Sequence, residues 1–214
     1  MKQKTKKKFS PIVFVIGCIL LGIFLFKSMS RPLVCIDAGH GGKDVGSIST
    51  NGKRYEKDDN LKIALKVKEK LKSDGIRVVM TRKNDSYVSL EKRCQIANFW
   101  KSDVFVSIHR NSAKSGEGIE IWIQNDASES EKKLAENILE NLSQEKVQNN
   151  RGVKNGTNKK NGTDYFVNKG TNMPSCIVEL GFISNQKDNE LLDKNLDAYA
   201  QAIAEGIEES LEKK

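Results

Sequence analysis

Apolar residues along the chain recur with two periods, one typical of β-strands and the other of α-helices. Short apolar or alternating segments predict six strands, at residues 33–36, 76–80, 104–108, 118–123, 165–167 and 176–178. Longer segments with apolar residues three or four positions apart predict five helices, at residues 60–71, 90–100, 129–144, 188–192 and 196–211. Strands and helices that alternate in this order predict an α/β fold with a largely parallel sheet.

The first 31 residues have a different pattern from the rest of the chain. Five lysines precede an apolar run from residue 9 to residue 26 that only Ser10 interrupts, and Lys27 and Arg31 follow it. A run of this length is about the minimum for a helix that crosses a bilayer. The lysines would stay in the cytoplasm, which places the remainder outside. The sequence thus predicts a lysine-rich tail with a membrane segment, residues 1–31, and one domain, residues 32–214.

Two other interpretations of the apolar run stay open. Ser28-Met29-Ser30 resembles a small-residue cleavage site, so the run could be a signal peptide that is removed. The residues before Cys18 resemble a lipoprotein cleavage box. However, eight further apolar residues follow this cysteine, which is not the pattern at the start of a mature lipoprotein. All three interpretations place the domain outside the cytoplasm, either on the outer face of the membrane or released after cleavage.

The net charge of +8 belongs to the N-terminal segment. Of the 36 lysines and arginines, seven lie within residues 1–31, where no acidic residue occurs; this leaves 29 basic side chains against 28 acidic ones in the domain. A nearly neutral domain without a basic stripe excludes nucleic acid as a partner. Cys35, Cys94 and Cys176 each stand alone in an apolar pattern, and we interpret them as small buried side chains.

The chain has only two histidines, and both come just after predicted strands. A glycine-rich turn separates the first strand from His40, and His109 follows the strand at 104–108 directly. Glu179 ends the strand at 176–178 in the same way. Because sites in open α/β sheets form beyond the carboxyl ends of the strands, we expect these three side chains to converge.

Imidazole and carboxylate groups are the usual ligands of catalytic zinc. The two histidines would supply two ligands, and Glu56, Asp37 and Asp44 are the candidates for the third. Glu56 is favoured because it stands near the start of the helix at 60–71, and helix starts approach the sheet edge that carries the strand ends. A carboxylate beside the metal, such as Glu179, can accept a proton from water and pass it to a leaving amine.

Four segments, in this order and spacing, resemble the zinc-dependent N-acetylmuramoyl-L-alanine amidases of the Amidase_3 family. They are Ile36-Asp37-Ala38-Gly39-His40-Gly41-Gly42-Lys43-Asp44, Glu56-Lys57-Asp58, Ser107-Ile108-His109-Arg110-Asn111 and Val178-Glu179-Leu180-Gly181-Phe182-Ile183-Ser184-Asn185. The resemblance extends over about residues 32–211. A single motif of this kind would be weak support, whereas four in order are specific.

The resemblance implies that His40, Glu56 and His109 bind one zinc ion and that Glu179 is the catalytic glutamate. It implies a twisted six-stranded mixed sheet, mostly parallel, with helices on both faces. The substrate would be bacterial peptidoglycan, cut at the amide between the lactyl group of N-acetylmuramic acid and L-alanine. The alternatives are a zinc peptidase acting on the stem peptide and a catalytically silent, membrane-tethered peptidoglycan-binding or scaffold protein.

The arginine after the second histidine, together with the short chain, resembles the spore-cortex amidases of the CwlD type. We expect Arg110 and Asn111 to contact the substrate, with an outward salt bridge of Arg110 as the alternative. This resemblance implies a role in sporulation and germination, with the forespore membrane as a candidate location. Residues 112–118 are too few for a helix that plugs the site, so we expect control by expression, location or an activating protein partner. Residues 149–163, rich in asparagine, glycine and lysine, predict a polar loop that borders the substrate groove.

Overall fold

The computed structural model describes Ile16 and residues 31–145, 148–157 and 163–212. Within these residues the strands are β1 (Leu33–Ala38), β2 (Arg77–Met80), β3 (Val104–Asn111), β4 (Ile119–Ile123), β5 (Asn150–Asn155) and β6 (Ser175–Phe182). The helices are α1 (Glu56–Ser73), α2 (Leu90–Phe99), α3 (Glu129–Gln144), α4 (Phe166–Gly170), α5 (Gln186–Lys194) and α6 (Leu196–Leu211).

The predicted membrane segment, residues 9–26, lies outside the described residues apart from Ile16. In the part of the chain that the structure describes, no helix combines the length and the apolar character needed to cross a membrane. The fold described below is therefore that of the domain that begins at Pro32.

The six strands form one sheet in the order β2-β1-β3-β6-β4-β5. All neighbouring strands run parallel except β4 and β6, which pair antiparallel. The predicted α/β fold with a mixed, mostly parallel sheet is thus confirmed. In this order β1, β3 and β6 lie side by side, so the carboxyl ends of three parallel strands share one edge of the sheet.

Helices cover both faces of the sheet, as predicted. Helices α1, α3 and α6 pack over one face, where the larger apolar core includes Val106, Ile108 and Tyr199. Helices α2 and α4 cover the other face over a smaller core that includes Cys35 and Phe105. The three described cysteines are free and buried, which confirms their interpretation as small core side chains.

Two predicted elements are wrong. The segment 149–163, predicted as a loop, contains strand β5, which pairs in parallel with β4 and places Lys154 opposite Trp122. Pairing at the edge of a sheet requires backbone hydrogen bonds and not apolar side chains, so a polar sequence can form such a strand. The predicted strand at 165–167 is instead the start of helix α4. Three apolar residues are too few to distinguish a helical period from that of a strand.

Candidate metal centre and active site

The candidate site lies at the carboxyl edge shared by β1, β3 and β6. His109 and Glu179 are direct neighbours across the β3–β6 pair, and the Gly39 amide after β1 donates a hydrogen bond to the Ile108 carbonyl at 3.1 Å. A Cβ atom at Gly39 would lie 2.3 Å from His109 Nε2, so only glycine allows the backbone to pass the imidazole here. The parallel sheet therefore brings the segment before His40 into contact with His109.

The turn that carries His40 has an unusual backbone, and two arginines hold it. His40 has a φ of +59°, which falls in the left-handed region that non-glycine residues rarely adopt. Arg82 donates to the carbonyls of Ala38 and Gly39 at 2.8 and 2.9 Å. Arg93 donates to the carbonyls of Ala38 and His40, both at 2.7 Å. These charge-assisted bonds fix the direction of the His40 side chain.

Asp37, one of the candidates for the third ligand, has a structural role. Its carboxylate is fully buried and binds Arg93, Thr81 and Ser107. Burial alone would raise the pKa of Asp37, but the Arg93 charge and the two hydroxyl donors lower it below its ordinary value. Asp37 therefore stays ionised and anchors the arginine that holds the His40 turn.

Glu56 takes the position predicted for the third ligand. Helix α1 begins at Glu56 itself, four residues earlier than predicted, because the acidic residues of its first turn favour a helix N-terminus. The Glu56 carboxylate lies 2.8 Å from His109 Nδ1 and 3.2 Å from His40 Nε2. Backbone amides of Ser47 and Arg110 donate to it at 2.8 and 3.1 Å. The carboxylate is thus held in place between the two imidazoles.

The structure brings His40, Glu56 and His109 together as a group that could bind a metal ion, with one ligand atom from each within 4.8 Å of the others. Two imidazoles and a carboxylate form one of the known donor sets of catalytic zinc. Asp44 Oδ2 lies 2.9 Å from His40 Nδ1, which leaves His40 Nε2 as the metal-binding atom. Asp44 therefore orients a candidate ligand rather than serving as one, an arrangement common in metal sites.

Opposite charges across the site shift the pKa values of two of the candidate ligands. Burial alone would raise the pKa of Glu56, but hydrogen bonds from His109 and His40 hold it well below its ordinary value. Burial alone would lower the pKa of His40, but Glu56, followed by Asp44, raises it to about 9. The metal-free site therefore holds a proton on His40 at neutral pH, and this proton must leave when a metal binds.

The affinity for zinc is accordingly expected to rise with pH until His40 loses its proton at about pH 9. Asp44→Asn removes one of the two carboxylates that raise the pKa of His40. In this variant the curve of zinc affinity against pH should therefore shift to lower pH. Competition titrations with a chelator, between about pH 6 and pH 9, measure both curves. An affinity that does not change with pH would exclude His40 as a ligand.

Glu179 lies beside this cluster with a different environment. Its side chain is buried, and its Oε2 has no hydrogen-bond partner among the described residues. Burial raises its pKa well above the ordinary value, and the charges of Glu56 and Glu120 raise it further. A carboxylate with high proton affinity beside the three candidate ligands is suited to accept and return a proton.

Glu120 is a component of the site that the motifs did not identify. It lies opposite Glu179 in the antiparallel β4–β6 pair. Asn111, Trp122 and Arg151 donate to its carboxylate at 2.7, 3.0 and 2.7 Å. Its signal in the sequence is an acidic residue within the otherwise apolar segment 118–123, which indicates a carboxylate on the face of the sheet that carries the site.

The structure corrects the expected role of Arg110. Its side chain lies on the opposite face of β3 from His109 and is completely buried. The guanidinium donates to Asp59 at 2.6 Å and to Asn189 at 2.8 Å. A side chain enclosed in this way cannot reach a stem-peptide carboxylate or an oxyanion. The alternative of an outward salt bridge is also wrong, since the ion pair is internal.

A cavity of about 720 Å³ opens over the cluster. The two histidines, Glu56 and Glu179 form its floor, and Asn111 lines it as well, although its amide is bound to Glu120. Thr157 and Thr163 of the predicted loop, together with residues 164–167 after it, form part of its wall. The cavity is therefore bordered by the segment expected there, and it has room for a substrate group of several residues or sugar atoms.

Comparison with known proteins agrees with this geometry. The sequence pattern of the N-acetylmuramoyl-L-alanine amidase family, Amidase_3, matches residues 34–209. The chain belongs to this family. The matched region covers all six strands and the three candidate ligands, so the resemblance inferred from the four motifs is confirmed. Membership in Amidase_3 makes the chain a peptidoglycan amidase.

Individual relatives of this amidase extend the comparison. It is 39% identical over 176 residues to the uncharacterized protein YqiI of Bacillus subtilis, covering 81% of this chain and 80% of YqiI. It is 34% identical over 187 residues to the probable cell wall amidase LytH of Staphylococcus saprophyticus; the match covers 85% of this chain and 59% of LytH, so the chain spans about three-fifths of that relative. The solved structure of CwlD of Clostridioides difficile, in complex with the GerS lipoprotein, is 32% identical, with a TM-score of 0.77 over 85% of this chain and 98% of CwlD.

Proposed function

We propose that this amidase is zinc-dependent and hydrolyses the amide between the lactyl group of N-acetylmuramic acid and L-alanine in peptidoglycan. The observation that carries the proposal is the Glu179 carboxylate, which lines a cavity together with three convergent residues that could hold a metal ion. One group of residues is suited to hold a metal and a separate carboxylate to move a proton. Metal-assisted hydrolysis of an unactivated amide uses both functions.

His40, Glu56 and His109 would hold the zinc ion, which, when bound, would polarise the lactyl carbonyl and acidify a water molecule. Glu179, which lines the cavity, accepts the proton of the attacking water. It then donates this proton to the nitrogen of the departing L-alanine, so that the peptide leaves as a neutral amine. Burial and the neighbouring charges of Glu56 and Glu120 keep the proton affinity of Glu179 high enough for this transfer.

We propose further that the domain acts outside the cytoplasm, tethered to the outer face of the membrane through residues 9–26. The apolar run and the lysines before it support this location, as does the similarity to LytH, which is named as a probable cell wall amidase. The resemblance of the sequence to the spore-cortex amidases of the CwlD type leads us to propose the spore cortex as the target, and the solved complex of CwlD with the GerS lipoprotein supports a protein partner for this chain too.

Digestion of purified peptidoglycan with the full chain tests the bond that is cut. The amidase should release stem peptides with free L-alanine amino termini and leave free lactyl carboxylates on the glycan. New termini within the stem peptide would contradict the proposal and favour the zinc peptidase. Cortex and vegetative wall, digested in parallel, show which of the two is the preferred target.

His109→Ala is expected to abolish both stoichiometric zinc binding and wall hydrolysis. Loss of one of three protein ligands removes most of the metal affinity, because the two remaining ligands cannot complete a catalytic zinc site. Elemental analysis of the purified variant measures the zinc, and release of L-alanine termini measures hydrolysis. One zinc ion per chain retained in this variant would refute the assignment of His109 as a ligand.

A further inference from the structure

The edge of the sheet opposite the active site carries an exposed aromatic pair. Phe99 and Trp100, at the end of helix α2, are 79% and 53% exposed, and their rings meet edge to face at 5.6 Å. Side chains of this size are usually buried, so an exposed adjacent pair marks a surface that contacts something apolar. We name Phe99, Trp100 and the exposed Lys101 the aromatic corner.

The backbone of the aromatic corner is held in place. The amides of Trp100 and Lys101 donate to the carbonyls of Ile96 and Asn98 at 3.2 and 3.1 Å. Lys101 has a φ of +50°, the left-handed conformation that ends many helices. The corner is thus part of the folded domain and presents its side chains in a defined direction.

The aromatic corner lies where the chain enters the domain. Asp103, two residues beyond it, donates its amide to the Leu33 carbonyl at 2.7 Å and accepts from the Leu33 amide at 2.7 Å. Leu33 is the first residue of β1, and the active site lies at the other end of this strand, about 17 Å away for a six-residue strand. The point where the chain enters the domain and the aromatic corner therefore both lie at the edge of the sheet that is remote from the active site.

The linker to the proposed membrane segment is short. Residues 27–31 separate the apolar run from Pro32, and five residues span at most about 18 Å even when fully extended. With the apolar run in the bilayer, a linker of this length limits how far Pro32 can be from the lipid headgroups. The linker sequence contains Lys27 and Arg31 and no acidic residue, and Lys101 of the corner is exposed; basic residues of this kind suit an anionic membrane surface.

We propose that the aromatic corner rests in the headgroup region of an anionic phospholipid bilayer and so orients the domain with its active site away from the membrane. Tryptophan and other aromatic side chains favour this interfacial region, where one edge of the ring is apolar and the other is hydrated. The inference rests on the proposed anchorage through residues 9–26. It adds that the domain has a fixed orientation, with the cavity directed towards the wall.

The test uses the full chain in lipid nanodiscs that hold one chain each, made of phosphatidylcholine with about one-third phosphatidylglycerol. Trp122→Phe leaves Trp100 as the sole tryptophan. We expect severalfold protection of Trp100 from aqueous iodide, and quenching of its fluorescence by lipids brominated near the headgroup.

The matched control carries Tyr87→Trp with both native tryptophans replaced by phenylalanine. Tyr87 is 49% exposed and lines the active-site cavity, so its tryptophan should be open to iodide and insensitive to brominated lipid.

Equal iodide quenching of the two reporters, without quenching by brominated lipid, would overturn the proposal. The same measurement is repeated in vesicles that hold many chains. Protection of Trp100 in these vesicles but not in the single-chain discs would also overturn the proposal, because a second copy of the chain would then cover the corner. A chain that separates from the discs during gel filtration would overturn the anchorage and the orientation together. A chain that stays with the discs but leaves Trp100 open to iodide would overturn the orientation alone.

Discussion

Replacement of Glu179 by glutamine is expected to lower kcat for wall hydrolysis by about 10²–10⁴-fold, the usual contribution of a general acid–base group. Glutamine has nearly the same shape but cannot accept the proton of water. Glu179 is not part of the metal-binding group, so zinc should stay bound. Initial rates on purified muropeptides measure kcat, and elemental analysis measures the zinc.

The same substitution should leave the fold as stable as before or make it more stable. The folded-state pKa of Glu179 is raised, so an ionised Glu179 opposes folding at every pH above the ordinary pKa of glutamate. A neutral amide removes that penalty together with the repulsion from Glu56 and Glu120. Thermal unfolding at neutral pH checks this, and a large fall in Tm would show that the lost activity reflects misfolding.

A matched control for Glu179→Gln is Glu136→Gln, which changes an exposed glutamate on helix α3. It makes the same chemical change far from the cavity and should leave kcat unaltered. A cellular phenotype that Glu179→Gln complements as well as the unaltered chain would contradict an enzymatic role and favour the scaffold alternative.

The pattern of the sequence was sufficient for the sheet and for most of the site. His109 and Glu179 follow apolar segments, and such segments form the central parallel strands whose ends meet at one edge. His40 belongs to the same edge because the turn after β1 is short. Residue type and strand position thus predicted the convergence, while the choice of Glu56 over Asp37 and Asp44 required the family motif.

Interactions between distant segments could not be predicted in the same way. Strand β5 forms because β4 offers it a free edge, which no local pattern reveals. Arg110 follows a ligand in sequence, yet alternation along a strand directs it to the opposite face from His109, towards α1 and α5. Asp37 binds Arg93 from 56 residues away. Such partners are set by packing and are not visible in the neighbouring residues.

Arg110→Met is expected to destabilise the domain by about 3 kcal/mol, the lower end of the range for breaking a buried ion pair. The Asp59 carboxylate would lose one of its two arginine partners, and Arg54, at 2.7 Å, would remain. Asn189 Oδ1 would lose a donor as well. Denaturant unfolding, followed by circular dichroism, measures the difference in the free energy of unfolding.

Zinc binding should weaken in the same variant, because Asp59 lies in the first turn of α1, three residues after the ligand Glu56. We therefore expect Arg110 to support the candidate metal-binding group through the helix that carries Glu56. A direct contact with substrate, the role expected from the position of Arg110 beside His109, would have a different signature. In that case Arg110→Met would raise KM for muropeptides and leave both the stability and the zinc affinity unchanged.

The double variant Arg110→Met/Asp59→Asn separates the loss of the ion pair from the loss of packing. Each single variant breaks the same Arg110–Asp59 pair, so the double variant should lose less stability than the two single variants added together. The Asp59→Asn single variant completes the thermodynamic cycle and gives the coupling energy of the pair. If the two single losses simply add, Arg110 and Asp59 do not act together, and the proposed support of Glu56 through α1 fails even though the ion pair is present in the structure.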